Sequence, residues 1–191
     1  MLEFKPEEWL LYGVNAHLIG RLSWSPDLDA AGFRRGYYAD LYGPAAEEMG
    51  AYFAELQHLL ADLGPCVGHY DLDYTCRATD QLLRPAAEHL GRAIVQSARG
   101  DSRYRVAVQG AQVGLHLLLK VGDWRRVIAQ LRRAPEEKRR ARLAEVVAAG
   151  EELVTWSEHK SRRDRLDRAR LALVVNHEHE ALREWCGGEH C

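Results

Sequence analysis

Apolar positions in this chain recur at three- and four-residue steps almost from end to end, which is the period of a buried helical face. Leu10, Val14, Leu18 and Leu22 trace one side of a first helix over about 6–24, shared with His17 and Arg21. Pro6 and the acids Glu7 and Glu8 suit its first turn. Pro26 ends it, because the residue before a proline is pushed out of the helical region. Asp27 or Asp29 then caps a second helix over about 29–41, striped with Phe33, Tyr37, Tyr38 and Leu41. Gly43 closes that helix and Pro44 opens a third over about 44–63, whose core face is Met49, Phe53, Leu56, Leu60 and Leu63.

The stretch 65–76 reads as a loop. A fourth helix is predicted over about 78–98, interrupted at Pro85. The fifth, about 102–121, is apolar nearly all round and belongs in the middle of a bundle. Gly122–Asp123 restarts the chain as a short helix to about 133, and further helices are expected over about 135–157 and 161–186. No run alternates as a strand does. The pattern predicts an all-α protein, an antiparallel bundle or array of about seven or eight helices with short connections. Polarity rises after residue 122. The expected organisation is therefore a helical domain over 1–122, an Arg-rich helical extension over 123–186 packed on it, and a flexible tail at 187–191.

Composition changes this picture little. With 191 residues, 47% hydrophobic and 28% charged, the chain can bury a core. No apolar run approaches the ~18 residues of a membrane span, so no membrane partner is expected. The N-terminus carries acids where a signal peptide needs bases, so a complete chain is expected to be cytoplasmic. Cys66, Cys76, Cys186 and Cys191 are too few for a disulfide framework and read as free thiols.

Charge is unevenly spread. Residues 1–73 hold 12 acids and 4 bases, and residues 74–191 hold 16 acids and 22 bases. The densest basic run, WRRVIAQLRRAPEEKRRAR at 124–142, has the charge a nucleic-acid binder needs. Its arginines come in pairs either side of Pro135, and acids such as Asp164 and Asp167 interleave later. That arrangement favours a solvated, salt-bridged face over a nucleic-acid surface.

Few residues suggest chemistry. The tail NHEHEALREWCGGEHC offers His177, His179, Cys186, His190 and Cys191, ligands of the kind zinc accepts. Two of them, His177 and His179, stand two apart on a helix and point to nearly opposite sides, which argues against a shared ion. Cys66 lies near His69 but without the context that makes such a pair reactive. No phosphate-binding glycine loop, nucleophile elbow or zinc-protease motif is present, and nothing calls for a cofactor. Aromatic residues crowd the first 53 positions. Helical spacing makes most of them core, while a few at an edge could stack on sugar rings.

One stretch carries a resemblance. The run YGVNAHLIGRLSWSPDLDAAGFRRGYYADLYGPAAEEMGAYFAEL, residues 12–56, resembles part of large bacterial glycoside-hydrolase-like proteins of a domain-of-unknown-function family. The matching positions are Trp24, Pro26, Asp27, Asp29, Tyr42, Gly43, Pro44, Ala45, Ala46, Met49 and Tyr52, and residues 103–121 are similar to a later helix of that family. The resemblance implies a helical region that follows a (β/α)8 catalytic barrel. Catalytic acids of such a barrel lie at the C-terminal ends of its strands, so none carries over to this chain. It implies a non-catalytic accessory or scaffold role beside a catalytic barrel domain, with carbohydrate as the eventual ligand and Trp24, Asp27, Asp29 and Tyr42 at the edge of a glycan cleft. The alternative is a self-contained interaction module. Met1 stands directly ahead of the first helix, and homodimerisation would cover the apolar surface of helices one and two.

Overall fold

A computed structural model describes residues 9–61, 79–164 and 168–187. Among them the protein is all-α: α1 (Trp9–Trp24), α2 (Ala30–Tyr42), a 3-10 turn (Gly43–Ala45), α3 (Ala46–Ala61), α4 (Asp80–Ser97), α5 (Ser102–Arg133), α6 (Glu136–Asp164) and α7 (Arg168–Gly187). Helices pack against their neighbours as a bundle. The described residues divide into two compact units, one of residues 9–61 and 80–116 and the other holding residues 117–164 and 168–187.

In the first unit α3 lies against α4, α2 packs on α3, and α1 packs on α2. The burial pattern is helical throughout. Met49, Tyr52 and Leu56 of α3 are enclosed, as are Leu83, Ala86, Leu90 and Ala93 of α4 and Val108, Ala111 and Leu115 of α5. The Tyr52 hydroxyl donates to the Ala111 carbonyl (3.3 Å), so this buried phenol is satisfied and ties α3 to α5. Between α2 and α3 the backbone turns at Gly43, whose φ of 52° only glycine adopts readily. Its N–H reaches back to the Ala39 carbonyl, and Pro44 follows at once.

The second unit is built on one apolar cluster: Val121, Trp124, Ile128 and Leu131 of α5, Val146 and Leu153 of α6, and Val175 and Leu182 of α7. Full burial of such side chains contributes about 1.5–3 kcal/mol each before entropy is counted.

Three expected boundaries differ. Gly122–Asp123 does not restart the chain, because α5 runs unbroken through it. One internal glycine costs about 1 kcal/mol, whereas Val121, Trp124 and Ile128 continue the buried stripe across the gap. Pro85 does not interrupt α4 either. It sits on the exposed side, where water can serve the backbone acceptor it leaves unpaired, while Leu83, Ala86 and Leu90 hold the opposite face. The sixth helix runs on to Asp164, past the expected end near 157, and α7 begins at Arg168 rather than near 161; residues 158–164 contain neither Gly nor Pro to stop it. The expected loop at 65–76, the tail at 188–191 and the pair Cys66–His69 lie outside the described residues.

Candidate functional site

The Trp24–Asp29 segment links α1 to α2, and its geometry follows from its residue types. The Ser23 hydroxyl folds back onto the Ile19 carbonyl (2.9 Å). Ser25 N–H still donates to Arg21 (2.9 Å), and the Leu28 N–H closes a turn onto the Ser25 carbonyl (3.1 Å), with Pro26 and Asp27 at its centre. Asp29 then caps α2 by accepting from the Ala31 N–H (3.0 Å), with Arg35 3.8 Å away. The Gly32 backbone N–H, helped by that of Ala31 and by the Arg35 charge, holds the Asp29 carboxyl below the usual carboxylate range against the opposing effect of desolvation.

This turn projects Trp24 into solvent at 89% exposure. Asp27 and Asp29 are exposed beside it in sequence. Tyr42 is not part of that surface. It is 4% exposed, at the far end of α2, and burial raises its phenol far above its ordinary value. Its ring joins a chain of aromatic contacts, with Tyr38 and Phe53 stacked in parallel at 5.7 Å and both 6.2 Å from Tyr42. Trp24, Asp27 and Asp29 are thus exposed along one linking segment, whereas Tyr42 packs between α2 and α3.

A second constellation was not visible in the sequence. Glu48 of α3 accepts from His89 Nδ1 (2.7 Å) and from Arg92 Nε (3.0 Å to each carboxylate oxygen) on α4. The His89 bond, then Arg92, holds the Glu48 carboxyl below its ordinary value. In the sequence Glu48 shows only as an acid in a helix first turn, since a partner 41 residues away leaves no local signal. The arrangement clamps α3 to α4, and His89 Nδ1 also lies 2.8 Å from Arg92 Nη2.

The basic run is largely engaged by the chain's own groups. Glu178 of α7 bridges Arg125 (3.3 Å) and Arg132 (3.0 Å). Arg126 pairs with Asp123 and Arg142 with Glu145 (2.5 Å). The Arg125 guanidinium lies over the Trp124 ring at 4.9 Å, and that of Arg139 over Trp185 at 4.7 Å. The partner acids are thus Asp123, Glu145 and Glu178. Arg133, Lys138 and Arg140 remain exposed.

Of the tail residues, His177 is exposed, His179 is buried and Cys186 is half-buried, while His190 and Cys191 lie outside the described residues. Among the described residues no three His, Cys, Asp or Glu side chains are grouped so as to hold a metal ion. No described helix is long and apolar enough to cross a membrane. No known protein family matches the chain, and no characterised protein or solved structure does either.

Proposed function

We propose that this chain is a non-catalytic helical accessory domain, an antiparallel array that works by docking through the Trp24 end of α1. The observation that carries the reading is the 89% exposure of Trp24 on a turn that its neighbours hold in place. An indole in water leaves a large apolar surface uncovered, and Trp is among the residues most enriched at binding hot spots. Its likeness to the post-barrel region of glycoside-hydrolase-like proteins supports a partner of that kind, with Trp24 stacking on a sugar ring and Asp27 accepting from sugar hydroxyls. A second reading, self-association, is favoured by the exposure of Ile19 on the same helix.

The test is intrinsic fluorescence during titration with cellohexaose, chitohexaose and maltohexaose, alongside solution mass by light scattering, for the natural chain and Trp24→Ala. A sugar-dependent shift lost in the variant supports the glycan edge. A concentration-dependent dimer that Trp24→Ala reduces to monomer supports self-association. A monomer indifferent to all three sugars overturns Trp24 as the docking residue for either partner. Arg133, Lys138 and Arg140 keep nucleic acid as a third outcome, for which heparin retention falling steeply with salt is the signature.

A further inference from the structure

We propose that His179 is an acid-released latch holding α7 against α5 and α6. The imidazole is 4% exposed. Its ring lies over Gly150 of α6, where an added methyl group would collide with Nε2 and come within 2.9 Å of Val175. The ring edge of Trp124 on α5 stands against it at 74°, centroids 6.1 Å apart. Nε2 is buried with no hydrogen-bond partner, and the nearby Val146 backbone of α6 favours the protonated ring less than burial disfavours it.

This environment suits only the neutral ring. Neutral imidazole has one N–H and can leave the other ring nitrogen as a bare acceptor. A second proton on Nε2 would point at the Gly150 backbone, leaving a buried donor unmet and a charge in the apolar cluster. The surrounding charges do not compensate. From α7 itself Arg183 opposes the proton and Glu178 favours it, but Glu178 is already shared by Arg125 and Arg132. From α6 Glu151 favours it while lying exposed. From α5 Arg125, beside Trp124, pairs with Glu178. Desolvation, followed by Arg183, keeps the His179 pKa below its ordinary value.

Linkage fixes the sign. An opened α7 carries an imidazole that binds a proton near pH ~6.5, and the closed form does not. The opening equilibrium therefore grows by up to about tenfold per pH unit below about 6.5, until the closed ring also titrates. Opening withdraws Val175 and Leu182, and so uncovers Trp124, Ile128, Leu131, Val146 and Leu153.

Amide hydrogen exchange on the full chain between pH 8 and 5, corrected for intrinsic rates, tests this. Protection of α7 should fall progressively below about pH 6.5, by up to about tenfold per unit, while α3 holds constant. In His179→Gln, whose side chain stays neutral, α7 protection should lose that slope. Should this variant not fold, the His179 imidazole resonance of the natural chain decides the same question, by titrating below the exposed His177 or with it. A flat α7 profile in the natural chain, a slope retained in His179→Gln, or a His179 that titrates with His177 each overturns the latch.

Discussion

Replacing Gly43 by alanine tests the α2–α3 corner. A Cβ there would stand 2.5 Å from Tyr104 Cε2 and 2.6 Å from its Cζ, and the backbone φ of 52° is strained for any L side chain. Holding a residue in such a sparsely populated conformation costs about 1–3 kcal/mol. Pushing the ring aside adds about 1–3 kcal/mol of overpacking. The ring has little room to retreat: a Cβ at Gly100 would already lie 3.2 Å from it, and Arg103 donates to its hydroxyl at 2.6 Å. Gly43→Ala should therefore cost about 2–6 kcal/mol in urea unfolding followed by circular dichroism. Gly91→Ala is the control. It sits exposed within α4 with nothing within 4 Å of the added methyl, and should stabilise by about 0.5–1 kcal/mol. In a Tyr104→Ala background the steric part should vanish, leaving about 1–3 kcal/mol of backbone strain. A Gly43→Ala protein within about 0.5 kcal/mol of the natural chain would refute the reasoning at its base.

Two further outcomes follow from the ion pairs. Glu178→Gln leaves the 9%-exposed Arg125 facing a neutral amide, and unfolding should show a loss of about 2–3 kcal/mol, less than the ~3–5 kcal/mol for breaking a fully buried pair because Glu178 is only mostly enclosed. Glu48 and Asp29 both have carboxyls held below their ordinary values, so what they contribute is present above the unfolded pKa of about 4 and is lost as pH falls through the lower folded value. Acid unfolding curves of Glu48→Gln and Asp29→Asn should accordingly be flatter below about pH 4 than that of the natural chain, with the two proteins converging at the acid end.

The helices were legible because their signals are local. The capping role of Asp29, the closure at Gly43 and the stripes Met49–Leu56 and Trp124–Leu131 needed only spacing and turn chemistry. The unbroken α5 and α4 were not, because a glycine or proline carries a local cost that burial on another helix can outweigh. The same limit hid the site features. Tyr42 and Trp24 are both aromatic residues at the end of a helix, and only the neighbours of α2 make one core and the other solvent-exposed. The clamp from Glu48 to His89 and Arg92, and the pairing of Glu178 with two arginines of α5, join groups more than 40 residues apart. Helical periodicity says which side of a helix is polar, but not which distant charge it will meet.

The notch over Gly150 also bears on how this sequence can drift. Alanine would serve α6 better than glycine by about 1 kcal/mol of helix propensity, yet a methyl group there collides with His179 and Val175. Glycine at 150 is thus tied to the ring on α7. In descendants of this chain the two positions should exchange together: wherever 179 becomes small, 150 is released to alanine, and wherever histidine stays, so does the glycine.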